Sequence, residues 1–168
     1  RYDAVLVLEA YGLRTSDLAE ARQGGLEEAM RRLKDGKLDA FFTTIAAPAR
    51  NLQEFAARHG FRLLALQGRG IERIVQQGPG LIAITIPANT YPTQTQDVHT
   101  LAVVALLVTT SEAPDAEVQR VTELVFDKLN FAASGSAEGA KVSKRTALRG
   151  VTVPMHPGAS RYFGTATK

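Results

Sequence analysis

The sequence predicts an α/β fold in which a mostly parallel sheet is flanked by helices. Three observations lead there. Short runs rich in β-branched or apolar residues, among them Phe61-Arg-Leu-Leu-Ala-Leu66, Leu81 to Ile86 and Val98 to Val108, alternate with segments whose apolar residues recur at helical spacing. Glycine and proline punctuate the junctions, as at Gly36 and Gly78-Pro-Gly80. Finally, Leu33-Lys-Asp-Gly-Lys-Leu-Asp-Ala-Phe-Phe42 reads as a helix end, a glycine turn and an apolar strand, the kind covered on both faces in a parallel sheet. Alternating strands and helices assemble most economically through right-handed crossovers.

Taken in order, Val5, Leu8 and Leu13, with Leu6 and Val7 between them, give the first helix a wide apolar face, and Gly12 stands where a left-handed cap is wanted. Thr15-Ser-Asp is a loop and Ala19 to Gln23 a short edge strand. Leu26, Met30 and Leu33 mark a second helix that Gly36 closes. Asp39 reads as structural, holding the turn that follows or capping a backbone donor. Another helix runs from Leu52 towards His59, a fourth covers Arg69 to Gln77, and two β-branched strands, Leu81 to Ile86 and Val98 to Val108, come next. Thr109-Thr-Ser-Glu-Ala-Pro-Asp carries start signals for a helix reaching about Asn130, with Val118, Val121, Leu124, Val125 and Leu129 apolar. Gly135 to Ser143 is a loop, Lys144 to Arg149 a last helical turn, and the tail to Phe163 a compact segment that docks across a surface.

Composition narrows the function. With 168 residues, 45% hydrophobic and 22% charged, the chain can bury a core and amounts to one domain or one lobe of a larger protein. The net charge is +3, and basic residues sit beside acidic ones, as in Glu27-Glu-Ala-Met-Arg-Arg-Leu-Lys34, which describes solvated faces and implies no nucleic-acid partner. Cysteine is absent, so disulfides and thiolate chemistry are excluded. No apolar run approaches the roughly 18 residues of a membrane span.

Catalytic patterns are missing as well. The three histidines, His59, His99 and His156, share no metal spacing. His59 is placed to favour a helix C-terminus, His99 reads as a rim residue of a strand, and His156, between two prolines, pins the tail or touches a ligand. No nucleophile elbow, phosphate loop or dinucleotide fingerprint occurs, and Gln67-Gly-Arg-Gly-Ile-Glu reads as a plain turn because no Lys-Ser/Thr follows. No catalysis and no cofactor or metal are expected.

Two stretches could instead bind a ligand. Thr43-Thr-Ile-Ala-Ala-Pro-Ala-Arg-Asn51 joins the end of a strand to the start of a helix, where unpaired amides and the helix dipole suit an anion. Thr43 and Thr44 offer hydroxyls there, and small Ala46 lets a ligand approach the backbone. The competing reading is an ordinary cap, with Thr44 at the cap and Pro48 in the first turn. The second stretch is the loop Pro87-Ala-Asn-Thr-Tyr-Pro-Thr-Gln-Thr-Gln96, whose prolines bar helix while Asn89 tolerates turn geometry and Thr90, Tyr91, Thr93, Gln94 and Gln96 present hydroxyls and amides without charge.

The segment Ile86-Pro-Ala-Asn-Thr-Tyr-Pro, followed by Gln96-Asp-Val and an apolar strand, resembles a long motif of the TAXI family, the solute-binding proteins of TRAP transporters. Ala147-Leu-Arg-Gly-Val-Thr-Val-Pro-Met-His-Pro-Gly-Ala-Ser-Arg-Tyr-Phe163 is similar to that family's closing segment. The stretch around Gly36-Lys-Leu-Asp-Ala is of a form common in two-lobed binding proteins. The resemblance implies a type II periplasmic-binding-protein-like fold, with residues 1–110 as the second lobe, residues 111–168 as a C-terminal helix and crossover tail docking between lobes, and a leader and first lobe upstream. It implies an extracytoplasmic receptor that captures a small organic anion, a dicarboxylate or a glutamate-like amino acid, and delivers it to TRAP membrane permease subunits. Solute contacts fall to Thr43, Thr44, Ala46, Asn89, Thr90 and Tyr91, with Arg1 or Arg50 to match a carboxylate. Family members often carry Gly where Ala46 and Ala47 stand, which bears on the preferred solute. Half of the cleft would then precede Arg1, and this stretch alone is expected to bind solute poorly. The rivals are the effector domain of a LysR-type regulator and an enzyme on the same fold.

Overall fold

The computed structural model describes residues 2–77, 80–128 and 142–165. The chain divides into two compact units, Arg1–Ala102 and Val103–Lys168, the division falling inside the apolar segment that begins at Val98.

In the first unit, helix α1 spans Tyr2–Ala10, and Gly12 ends it at φ 74°, with Gly12 N donating to Glu9 O at 2.9 Å and Leu13 N to Leu8 O at 2.9 Å. Val7 is its buried residue; Val5 and Leu8 are half-buried, while Leu13 lies beyond the helix and is exposed. Helix α2, Leu26–Lys34, places Glu27 and Glu28 in its first turn and Arg31, Arg32 and Lys34 in its last, each sign set against the opposite end of the helix dipole. Its Met30 is buried, and Gly36 follows at φ 64°. Helix α3, Arg50–His59, buries Leu52 and Ala56 and stops at Gly60, φ 69°. Helix α4, Arg69–Gln77, buries Ile71 and packs on α1 through Gly70, where an added Cβ would run into the carbonyl of Ala10.

Strands β1, Leu81–Ile86, and β2, Val98–Val103, pair antiparallel, with Thr85 Oγ1 and His99 Nδ1 3.1 Å apart across the ladder. The core of this unit gathers Met30, Ala49, Leu52, Ala56 and Tyr91, with Phe41, Phe55, Phe61 and Ile86 packed against it. Phe61 sits 5.5 Å from the Tyr91 ring and 6.4 Å from Phe55, tilted as aromatic pairs prefer.

Several expectations are corrected here. A mostly parallel sheet is not present among the described residues; the sheet they form has two strands, and they are antiparallel. Phe41-Phe42 and Phe61 to Leu66 run without strand pairing of their own, although Leu66 N does donate to His99 O at 2.8 Å. A strand needs a neighbour to take its amides, and these stretches remain open on one side, with Phe42 52% and Leu64 65% exposed. Ala19 to Gln23 forms no edge strand and is exposed throughout. The second strand stops at Val103, and Val104 to Val108 continues without pairing.

In the second unit, helix α5 spans Asp115–Glu123 and passes into a wider π turn at Leu124–Lys128. The expected continuation to Asn130 and the loop from Gly135 lie outside the described residues as far as 141. Residues 144–150 form successive turns rather than a regular helix. Helix α6, Pro157–Phe163, starts with His156 at its cap, where His156 Nδ1 accepts from Gly158 N at 3.1 Å, and ends at Gly164, φ 65°. It docks on α5 through Gly158, whose missing Cβ leaves room for the carbonyl of Asp115, and Arg161 reinforces the contact with a 2.7 Å bond to that residue's carboxylate. Phe126, Tyr162 and Phe163 pack edge-on or stacked, with Lys144 Nζ 4.1 Å above the Tyr162 ring.

Candidate functional site

The two stretches singled out from the sequence meet at the amino end of α3. Residues 87–97 form a closed loop between the strands. Asn89 N donates to Gln94 O at 2.8 Å, Gln94 N to Tyr91 O at 3.1 Å, and Ala88 N to Asp97 Oδ1 at 2.8 Å. Asn89 and Thr93 take left-handed conformations, φ 63° and 71°. Asparagine tolerates that region, whereas a β-branched threonine does so only where its surroundings hold it.

The loop is tied to α3 by two bonds. Ala49 N, just before the helix, donates to the Tyr91 hydroxyl at 3.1 Å, and Gln53 Nε2 donates to Thr90 O at 3.3 Å. Tyr91 itself is 3% exposed, its ring against Phe61. Within this site the tyrosine is a post joining two chain segments, with little surface left to offer. Asn89 is exposed and Thr90 half-buried; Thr90 Oγ1 donates to Pro87 O at 2.6 Å.

On the other side, Thr43, Thr44 and Ala46 lie exposed along the strand-to-helix connection, and the Ala47–Pro48 peptide is cis. Thr44 Oγ1 donates to Asp3 Oδ2 of α1 at 3.4 Å. The helix cap is Ala49, with no side chain serving it, so the reading of Thr44 as cap and Pro48 as first turn is corrected: the helix starts later, at Arg50. Arg50 carries its guanidinium into solvent, where it pairs with Glu54 at 3.0 Å, one helical turn on. Arg1 lies outside the described residues.

The structure therefore brings Thr43, Thr44 and Ala46 into the same unit as Asn89, Thr90 and Tyr91, with the α3 amino end as their junction. Three residues hold it together: Gln53 and Asp97, which sequence reasoning passed over, and Gln94, which it read only as one of the loop's polar groups. Their signal was a shortage of donors. Pro87 and Pro92 have no N–H, so the loop has more carbonyls than backbone amides, and side chains must make up the difference.

The remaining candidates lie elsewhere. His59 ends α3 and tilts against Phe55 at 5.2 Å, the placement its helix-end preference suggested. His99 faces Thr85 on the exposed side of the hairpin. Among the described residues no group of three or more His, Cys, Asp or Glu is placed to hold a metal ion, and no helix is long and apolar enough to cross a membrane. The shifted acids belong to residues 103–168: burial and the Asp127 carboxylate, which accepts from its hydroxyl at 2.8 Å, push Tyr162 up to about 12, and a bond from Ser111 holds Glu112 below the ordinary carboxylate range.

Comparison with known protein families matches residues 2–164, nearly the whole chain, to the NMT1-like family. That family is periplasmic-binding-protein-like and includes TRAP/TAXI-type and related solute-binding proteins, whose role is to bind a small ligand outside the cytoplasm. With a polar loop pinned to a helix amino end on an α/β scaffold, and a match that covers residues 2–164 of 168, the chain belongs to the NMT1-like family.

Proposed function

We propose that this chain forms part of a TAXI-type receptor that captures a small organic anion, a dicarboxylate or a glutamate-like amino acid, and hands it to a TRAP-type membrane permease. The observation that carries this reading is the bond from Ala49 N to the Tyr91 hydroxyl, which sets a polar loop beside a helix amino end. Such an end favours negative charge through its free amides and dipole. Thr43 and Thr44 are the proposed hydroxyl contacts, Ala46 the point of close backbone approach, and Asn89 and Thr90 the polar groups of the loop. Tyr91 acts by holding the two sides together. Binding of this kind draws on desolvated hydrogen bonds as lobes close, and the closed state is what a permease would read. No catalytic step is assigned.

Thermal-shift screening of the full-length protein with acidic amino acids and dicarboxylates tests the proposal. A true solute at a hundred times its Kd stabilises by about 2.7 kcal/mol without being consumed. Shifts with nucleotides or metal ions and none with organic anions would overturn it in favour of an enzyme on this fold. A DNA-binding domain upstream in the full-length protein would favour the regulator.

A further inference from the structure

We infer that Gln94 is the positioning residue of the 87–97 loop: its carboxamide fixes the loop's shape and, through Tyr91, the loop's register against the amino end of α3. The functional half of this inference rests on the binding role proposed above; the structural half does not.

Three backbone carbonyls converge on one nitrogen. Gln94 Nε2 lies 3.2 Å from Ile86 O, 2.9 Å from Pro87 O and 2.9 Å from Gln96 O. Carbonyl oxygens only accept, so the orientation of the amide follows from its partners. Its two hydrogens serve three acceptors, which requires one to be shared. The other end of the amide works in the opposite sense, Gln94 Oε1 accepting from Tyr91 N at 3.3 Å. One side chain thus ties the last residue of β1, the first proline of the loop, the tyrosine at its centre and the residue before Asp97. Backbone bonds of the same residue, to Asn89 N and Tyr91 O, close the ring.

This clamp accounts for the two left-handed residues. Asn89 and Thr93 stand at positive φ without the freedom of glycine, and such conformations persist where surrounding bonds over-determine them. From Gln94 the constraint passes to Tyr91 by its amide, and from the Tyr91 hydroxyl to Ala49 N, so the two sides of the proposed site move as one piece. An amide is required chemically. Glutamate of the same size would aim a carboxylate at three carbonyl oxygens, and methionine would withdraw this donor from all three, Pro87 O keeping its bonds from Thr90.

The test compares wild type, Gln94→Glu and Gln94→Met in the full-length protein by amide exchange resolved by residue, and by calorimetry with glutamate and succinate as probes. In the wild type, the Gln94 carboxamide protons should give two separate, slowly exchanging signals, and the amides of Ala88, Asn89, Tyr91 and Gln94 should be protected. Both variants should raise exchange at those amides about tenfold while leaving α5 and α6 unchanged, and raise Kd for whichever probe binds by about tenfold or more. Unchanged exchange in the loop overturns the inference. Loosened exchange with an unchanged Kd overturns the positioning role. If neither probe, nor any organic anion in the thermal-shift screen, binds the wild type while exchange loosens as expected, the clamp is supported and the receptor reading falls.

Discussion

A single oxygen at Tyr91 decides whether a buried amide has a partner. Ala49 is itself buried, so Tyr91→Phe leaves its N–H without an acceptor. An orphaned buried donor costs about 1–3 kcal/mol, and urea unfolding with an unchanged m-value should show a loss of that order. The same scale governs Asn89. At φ 63° a β-branched side chain crowds the backbone, so Asn89→Val should destabilise by roughly 1–2 kcal/mol and Asn89→Gly by much less, again read from unfolding midpoints. Tyr162 gives a pH dependence whose sign is fixed. Its protonated hydroxyl donates to Asp127, and burial and that carboxylate raise its folded pKa to about 12, above the ordinary value of about 10 in the unfolded chain. The stability it contributes is fully present below about pH 10 and is lost as pH rises towards 12. Absorbance titration near 295 nm, compared with Tyr162→Phe, should therefore show one tyrosine ionising late. The roles of Asn89 and Thr90 as loop residues were legible from composition, and so was the need of Tyr91 for a polar partner. Which partner was not, because Ala49 stands 42 residues away and nothing in the local pattern of either segment names the other.

Among the elements, helices were the most readable because their apolar residues repeat with the period of the helix. The helix α4 falls on Arg69–Gln77 as its spacing indicates, and Gly12, Gly36 and Gly60 end their helices at positive φ. Gly70 and Gly158 read differently once packed. In isolation, alanine would favour a helix by about 1 kcal/mol over glycine. Here a Cβ at Gly70 would strike the Ala10 carbonyl and one at Gly158 the Asp115 carbonyl, neither of which can yield without moving a helix. Overpacking of that kind costs about 1–3 kcal/mol, so it outweighs the propensity. Both Gly70→Ala and Gly158→Ala should lower the unfolding midpoint; stabilisation by either would mean that the helix pair slides apart freely. Strands were less legible for a physical reason. The short apolar run from Phe61 to Leu66 describes a chain ready to pair, but pairing belongs to two segments, and only β1 and β2 find each other among the described residues.

For the whole molecule, the family match from residue 2 to 164 sets the functional frame, and the Tyr91 connection says which parts should answer a solute together. In the full-length protein, solute should increase amide protection in residues 43–53 and 87–97 in parallel, since both belong to the unit Arg1–Ala102 and share that link. Protection rising in one segment alone would separate what the bond joins. The sequence by itself determined that helices lie at α1 to α5, their glycine ends, the polar loop and, through two motifs, the class of protein, because periodicity, turn chemistry and motif order are all local properties of a chain; the helix at Pro157–Phe163 it offered only as a compact tail. Only the tertiary structure decided that Gln94 gathers three carbonyls, that Tyr91 is a buried post rather than an exposed solute contact, and that α3 begins after Pro48. Those outcomes depend on which distant groups satisfy each other's hydrogen bonds when water is excluded, and that pairing comes into being only when the segments meet.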